Sequence, residues 1–217
     1  MLDFAAAREA MVDRQVRPSD VTRYGIVDAM LRVPRERFVP TSRRPVAYAD
    51  EALEMTEGRW LLEPRTFAKM LDAAEIGADE AVLDVGCGLG YSTAVLSRVA
   101  RAVIAVEADP TMAAAAEQAL QREGCDNAAV LEGPLAEGAP SEAPFDAILV
   151  EGAVAREPGT LLGQLAEGGR LVAIWREGAH GHARVWVRAG DATSSRWAFD
   201  AAAPVLPGFE AARAFAF

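Results

Sequence analysis

The pattern of hydrophobic and polar positions changes near residue 81 of this 217-residue chain. From there on, short and nearly continuous apolar runs alternate with stretches that carry apolar residues at helical spacing. Continuous apolar runs are typical of strands that are buried on both faces. The alternation therefore predicts an α/β fold, with a doubly wound, mostly parallel, Rossmann-like sheet and helices on both of its faces. The predicted strands are AVLDV, AVIAVE, AAVLE, FDAILVE and RLVAIW, and the predicted helices are STAVLSRVA, TMAAAAEQALQRE and PGTLLGQLAEG.

The pattern changes again after RLVAIW. ARVWVRAG and DATSSRWAFDAA have strand-like composition, and no strong helical pattern separates them from each other or from the final FEAARAFAF. Strands that follow one another without a crossover helix pair antiparallel. The sequence therefore predicts an antiparallel C-terminal addition to the sheet.

The first 60 residues do not show the strand and helix alternation. Residues 5–31 carry apolar side chains at helical spacings and predict two helices, and a long irregular run rich in proline, glycine and charge then continues to Trp60. Pro64 opens a further predicted helix, at the position that proline favours. We expect residues 1–60 to form N-terminal helices and a substrate-side loop, packed on a main domain of residues 61–217.

Composition and charge narrow the classes of partner. The formal net charge of −10 disfavours nucleic acid, because binding to a phosphate backbone needs a basic surface. The sequence has neither an apolar run of membrane-spanning length nor a signal-peptide pattern at its start, so we expect a cytoplasmic protein with no membrane contact. The spacing of Cys87 and Cys125 is unlike that of a metal site, and we expect no metal. We expect a monomer.

The clearest chemical signal is a glycine-rich loop between the first predicted strand and helix, in VLDVGCGLGYSTAVL. Glycines at 86, 88 and 90 permit a tight turn and let a ligand lie against bare backbone, and Ser92 or Thr93 is placed to cap the helix. The spacing is GxGxG, whereas the dinucleotide fingerprint is GxGxxG. Asp84, two positions before the first glycine, would repel a pyrophosphate but could pair with the cationic amino-acid part of a sulfonium cofactor. The loop therefore favours S-adenosylmethionine over NAD.

Acidic residues recur where the next predicted strands end. Glu107 ends the second strand, where a carboxylate could accept both ribose hydroxyls of an adenosine. NAD-binding proteins use an acid at the same place, so Glu107 alone does not select the cofactor. Glu132 follows the third strand and could reach the adenine amino group, and Glu151 ends the fourth. Because parallel strands end at one edge of a sheet, the four acids predict a single ligand site.

At this point the chain resembles the class I S-adenosylmethionine-dependent methyltransferases, and within them the protein-L-isoaspartate (D-aspartate) O-methyltransferase family. The resemblance covers most of the chain and rests on VLDVGCGLGYSTAVLSRVA, APFDAILVEGAV, EPGTLLGQLAEGGRLVAIW, VPRERFVP and PVLPGF. It implies the Rossmann-like methyltransferase fold, S-adenosylmethionine as cofactor, and a protein or peptide carboxylate as methyl acceptor, in protein repair. The cofactor contacts that it implies are Asp84, Gly86, Cys87, Gly88, Gly90, Glu107, Glu132 and Gly133.

The sequence departs from the family at the substrate end of this site. The family carries Gly-Gln-Thr-Ile-Ser-x-Pro where this chain has GRWLLEP, so Arg59 replaces Gln and the hydroxyl positions hold Trp60 and Leu62. The family's Thr-Ala-Ala at the fourth strand end is Glu151-Gly-Ala here, which adds an acidic residue near the site of methyl transfer. The resemblance thus implies a substrate pocket formed by Trp60, Leu61, Leu62 and Glu151, and leaves the catalytic residues unassigned.

Three functions are compatible with this departure. The first is an active isoaspartyl carboxyl methyltransferase with a variant pocket wall. The second is a methyltransferase of the same family with a different carboxylate, hydroxyl or amine acceptor. The third is a cofactor-binding homologue that lacks isoaspartyl activity.

Overall fold

In the computed structural model, which describes residues 3–211, a seven-stranded sheet forms the centre of the protein. Its strands are β3 Ala81–Val85, β4 Ala102–Glu107, β5 Ala128–Glu132, β6 Phe145–Val154, β7 Leu165–Glu177, β8 His180–Ala189 and β9 Ala192–Asp200, and they follow a separate hairpin of β1 Leu53–Thr56 and β2 Arg59–Leu61. The strand order is β5-β4-β3-β6-β7-β8-β9, in which β3 to β7 are parallel and β8 and β9 are antiparallel. The predicted α/β sheet with an antiparallel C-terminal addition is therefore confirmed.

Helices cover the sheet, and the N-terminal segment packs beside them. One hydrophobic cluster joins the N-terminal segment to the sheet, because Met30 and Phe38 belong to the same buried cluster as Val172 of β7. The α-helices are α1 Phe4–Met11, α2 Tyr24–Arg32, α3 Pro64–Ala74, α4 Tyr91–Leu96, α5 Pro110–Arg122 and α6 Gly159–Leu162. A π-helical turn spans Val12–Val16, and 3-10 turns span Arg17–Ser19, Arg35–Arg37, Thr41–Val46 and Leu135–Glu137.

The helix predicted over residues 158–168 is wrong beyond Leu162. Helix α6 has only 4 residues, and strand β7 begins at Leu165. The side-chain oxygen of Gln164 accepts a hydrogen bond from the Ala139 backbone N–H (2.9 Å). The backbone carbonyl of Gln164 accepts one from the N–H of Phe145 (2.8 Å). These contacts accompany the entry of the chain into the sheet, so that Leu161 and Leu162 fill the core from α6 and Leu165 fills it from β7.

The irregular run predicted before Trp60 contains a β-hairpin instead. Strands β1, Leu53–Thr56, and β2, Arg59–Leu61, pair antiparallel, and Gly58 makes the turn with a φ of +73°. Leu53 and Met55 are buried, whereas Thr56 at the tip is exposed. The alternation of buried and exposed residues is short, and charged residues near the turn make it hard to recognise in the sequence. The hairpin places Arg59 next to the sheet.

Within residues 3–211, no helix combines the length and the hydropathy needed to cross a membrane. The final FEAARAFAF lies mostly outside the described part of the chain, since residues 212–217 are not included in it.

Candidate functional site

The glycine-rich loop follows β3 at the carboxyl edge of the sheet. Gly86, Gly88 and Gly90 all have positive φ angles, of +82°, +60° and +94°. A Cβ on Gly88 would lie 2.5 Å from Cε of Met55, and one on Gly90 would lie 3.2 Å from Cβ of Ala116. The backbone conformation therefore favours glycine at all three positions, as the sequence predicted for a turn that keeps its backbone bare, and little space is left for a side chain at Gly88 and Gly90.

Asp84 lies in β3 directly below this loop and is fully buried. Its Oδ2 accepts hydrogen bonds from Ser92 Oγ (2.7 Å) and Thr93 Oγ1 (2.6 Å). The two hydroxyls thus bind Asp84 and do not cap α4, whose N-cap is Gly90 without a side-chain bond. Burial raises the pKa of Asp84 to about 6, against the opposing effect of the two hydroxyls. Its Oδ1 is buried and has no hydrogen-bond partner among residues 3–211.

Glu107 ends β4, and its carboxylate is already saturated with donors. Oε1 accepts from Arg59 Nη1 and from the backbone N–H groups of Ala108 (2.8 Å) and Asp109 (3.1 Å). Oε2 accepts from Arg59 Nη2 (2.6 Å) and from the N–H of Gly88 (2.8 Å). A carboxylate offers about four lone-pair sites, so five donors leave no site for a ribose hydroxyl in this arrangement.

Arg59 lies in this site, although in the sequence it stood only as a replacement for Gln and had no predicted role. Its side chain is 8% exposed and that of Glu107 is fully buried, so the pair is shielded from water. Nη2 also lies 3.4 Å from the carbonyl oxygen of Gly86. A cation beside the apolar run of residues 60–62 was a signal for a buried anionic partner, but the sequence did not show that this partner is Glu107.

Glu151, predicted for the substrate pocket, is buried near the end of β6. Its Oε1 makes no hydrogen bond in the described part of the chain. Burial raises the pKa of this carboxyl well above its usual range, the negative charge of Asp84 raises it further, and Arg35 opposes the shift. The extra acid that the sequence placed here is therefore held toward its neutral form, because two buried carboxylates disfavour each other's ionisation.

Arg35 is a second residue whose role the sequence left open, although VPRERFVP was noted for its resemblance. It is fully buried, and it donates from Nε to the Ala47 carbonyl (2.8 Å) and from Nη2 to the Leu62 carbonyl (2.7 Å). Its guanidinium lies over the Tyr91 ring, 4.8 Å from the centroid. Arg35 thus fixes the backbone of the segment that carries Trp60 and Leu62, and its buried Nη1 has no partner within residues 3–211.

The side chains of the GRWLLEP segment point to different surroundings. Leu61 and Leu62 belong to the main hydrophobic cluster, whereas Trp60 is half-buried. Trp60 lines a cavity of about 420 Å³ at the carboxyl end of β7, together with Arg176 and His180. The pocket residues predicted from the sequence are thus divided between the core and this cavity.

The remaining predicted cofactor residues surround the same loop. Cys87 is buried, and burial raises the pKa of its thiol well above the usual range. Glu132 is exposed, and the N–H of Gly133 donates to the carbonyl of Glu107 (3.0 Å). Both cysteines are free thiols, and the described residues contain no group of three or more potential metal ligands.

Known proteins resemble this chain over most of its length. The family described as protein-L-isoaspartate(D-aspartate) O-methyltransferase matches residues 6–197. The protein-L-isoaspartate O-methyltransferase of Roseiflexus castenholzii is 40% identical over 171 residues, which cover 79% of this chain and 78% of that protein. The one from Koribacter versatilis is 41% identical over 169 residues, covering 78% and 76%.

Two solved structures share the fold over nearly the whole chain. One, a protein-L-isoaspartate O-methyltransferase, aligns with a TM-score of 0.81 and 25% identity, over 93% of this chain and 66% of that one. Another, a protein from Plasmodium falciparum in complex with S-adenosyl-L-homocysteine, aligns with a TM-score of 0.78 and 18% identity, over 95% and 99%. The likeness includes the N-terminal segment as well as the sheet.

Proposed function

The chain belongs to the protein-L-isoaspartate(D-aspartate) O-methyltransferase family, and from that premise we propose that it methylates the free carboxylate of isoaspartyl residues in proteins, with S-adenosylmethionine as methyl donor. The proposal keeps the expectations of a cytoplasmic monomer that acts on protein and not on nucleic acid.

The observation that carries the proposal is the unpaired Oδ1 of Asp84 beside the glycine loop. A buried carboxylate oxygen without a partner is unfavourable, and a cationic ammonium would supply both the charge and the donor that it lacks. Glycines 86, 88 and 90 offer bare backbone next to it. Asp84 and the glycine loop therefore fit the amino-acid part of S-adenosylmethionine, which when bound supplies an electrophilic methyl group.

The acceptor needs little chemical activation by the protein. A carboxylate is already ionised at neutral pH, so no general base is required to make it nucleophilic. The task of the site is to hold the acceptor in line with the methyl group and away from bulk water, which is a matter of proximity and orientation. The side chains around the acceptor must therefore provide hydrogen-bond donors and exclude water.

Glu151 is the proposed donor to the acceptor carboxylate. Trp60 and Leu62 offer no hydroxyl, and an ionised acid would repel the substrate. Burial and the charge of Asp84 raise the pKa of Glu151 and favour its protonated form, whose O–H can donate to the acceptor through the oxygen that lacks a partner. This assigns to one buried acid the orienting role that hydroxyls play at the family positions.

A second candidate is a methyltransferase with another acceptor, and the replacement of both hydroxyl positions favours it. Trp60 makes part of a cavity whose other lining residues are largely apolar, including Ala52, Ile174 and Pro204. A largely apolar cavity of this kind suits a methyl acceptor that carries an apolar group next to its nucleophilic atom.

Methyl transfer to matched peptides tests the proposal. The protein is incubated with labelled S-adenosylmethionine and a peptide that contains isoaspartate, and with the same peptide containing aspartate. We expect a base-labile methyl ester on the isoaspartyl peptide alone, and loss of the product with Asp84→Asn. Binding of S-adenosylhomocysteine without transfer to this peptide would favour the second candidate, and absence of binding would overturn the assignment of the cofactor.

A further inference from the structure

The hairpin formed by β1 and β2 lies over the glycine loop. Met55 of β1 reaches Gly88 so closely that its Cε is 2.5 Å from the position of a Cβ on that glycine. At the tip of the hairpin, Thr56 Oγ1 lies 3.7 Å from Sδ of Met112 in α5. The hairpin therefore covers the surface that the proposed cofactor needs. It also brings the Arg59 side chain into contact with the Glu107 carboxylate.

The contact at Glu107 competes directly with a nucleoside. Arg59 supplies two of the five donors to this carboxylate, and backbone N–H groups supply the other three. If the guanidinium leaves, about one of the four acceptor positions is freed outright, and the remaining donors can readjust. A ribose diol needs that acceptor capacity, so the diol and the guanidinium cannot both be bound fully.

We propose that Arg59 is an internal competitor for the nucleoside site, so that cofactor binds by exchanging its ribose hydroxyls for the Arg59 guanidinium on Glu107. The inference rests on the proposed function, since it assumes that the site takes S-adenosylmethionine. It makes Arg59 the residue that sets cofactor affinity in this chain.

The surroundings of Arg59 make the exchange possible. Its buried Nε has no hydrogen-bond partner within residues 3–211, and its contact to the Gly86 carbonyl is long at 3.4 Å. The element that carries it has strands of only 4 and 3 residues, and short two-stranded hairpins are marginally stable by themselves. The pair is thus held mainly by its two charge-assisted hydrogen bonds, which a ligand can replace at Glu107.

Binding measurements on Arg59 variants test the exchange. Calorimetric dissociation constants for S-adenosylhomocysteine are compared for the wild type, Arg59→Gln and Arg59→Lys. Arg37→Gln is the matched control, because it removes an arginine from an ion pair with Glu123 in which the arginine side chain is 62% exposed. Adenosine and 2′,3′-dideoxyadenosine are compared as probes with and without the ribose hydroxyls.

We expect Arg59→Gln to bind S-adenosylhomocysteine and adenosine about tenfold more tightly, as when a competing state that is populated about 90% of the time is removed. Arg59→Lys should lie between Arg59→Gln and the wild type, because a point charge makes a weaker pair than the guanidinium fork. Dideoxyadenosine should gain much less, and Arg37→Gln should match the wild type.

Equal or weaker binding by Arg59→Gln overturns the inference while leaving the proposed function intact, provided that the wild type binds S-adenosylhomocysteine. A crystal structure of the wild type with S-adenosylhomocysteine gives a check that does not depend on a variant. We expect the Arg59 guanidinium beyond hydrogen-bond distance of Glu107 in that complex, and a persisting bidentate pair would overturn the exchange.

Discussion

The guanidinium of Arg59 and the carboxylate of Glu107 form a buried bidentate ion pair that joins the β1–β2 hairpin to the end of β4. Removing one partner of such a pair leaves the other charge buried and uncompensated, which typically costs about 3–5 kcal/mol. We therefore expect Glu107→Gln to lower the free energy of unfolding by roughly this amount, measured by denaturant titration.

The control for this change is Glu123→Gln, which also removes an anionic partner of an arginine. The side chain of Arg37 in that pair is 62% exposed, so water can replace the lost contact. The expected cost is about 1 kcal/mol or less. Equal losses of unfolding free energy in Glu107→Gln and Glu123→Gln would contradict the conclusion that burial makes the Arg59–Glu107 pair more costly to break.

Gly152 permits a close approach that alanine would prevent. A Cβ on Gly152 would lie 2.6 Å from Cγ of Leu206, and the backbone of Leu206 is held by a hydrogen bond from its N–H to the Ala153 carbonyl (2.9 Å). Leu206 therefore cannot move away freely. We expect Gly152→Ala to destabilise the protein by about 1–3 kcal/mol in thermal or chemical unfolding.

Gly159→Ala serves as the comparison, since a Cβ there meets no atom within 4 Å and the residue lies in helix α6. It should be neutral or slightly stabilising. In a double-mutant cycle, a much smaller cost of Gly152→Ala in the Leu206→Ala background than in the wild type would identify the clash as the cause.

Stability should depend on pH through Asp84 and Glu151. The pKa of Asp84 is about 6 in the folded protein and that of Glu151 is raised well above its usual range, whereas both are near 4 when unfolded. Above pH 4 the folded state therefore binds more protons than the unfolded state, and the free energy of unfolding falls as pH rises through the folded pKa values. Below about pH 4 both carboxyls are protonated in the folded and the unfolded state, so the stabilisation that comes from their raised pKa values is fully present there.

Variants separate this effect from other titrating groups. Glu151→Gln stays neutral at every pH, so its stability relative to the wild type should improve as the pH rises from about 4 toward the raised pKa of Glu151. Denaturant titrations at several pH values measure this difference. A difference that stays constant with pH would show that Glu151 titrates alike in the folded and unfolded states.

Activity should report on the protonation of Glu151 as well. If its O–H orients the acceptor, kcat/KM for an isoaspartyl peptide should fall at alkaline pH as the carboxyl ionises, with Asp84 and Arg35 setting where the fall occurs. Glu151→Gln keeps a neutral donor and should lose this alkaline fall. The exposed Glu142→Gln should retain the profile of the wild type. A fall that persists unchanged in Glu151→Gln would assign it to another group.

The sequence came closest where local chemistry decides the structure. The loop of Gly86, Gly88 and Gly90 and the strands around it follow from glycine's freedom at positive φ and from buried apolar runs. Gln164 shows the opposite case, since its leucine neighbours have helical spacing, but its side chain binds the distant Ala139 backbone and the chain continues as a strand from Leu165.

The sequence by itself determined the α/β architecture, the glycine loop and the family, because these depend on patterns within short stretches and on their order. Only the tertiary structure decided which charges meet. Arg59 and Glu107 are 48 positions apart, and Glu151 comes under the influence of Asp84 through neighbouring strands. Pairing, burial and the resulting protonation depend on distance and solvent exclusion, which the order of residues does not specify.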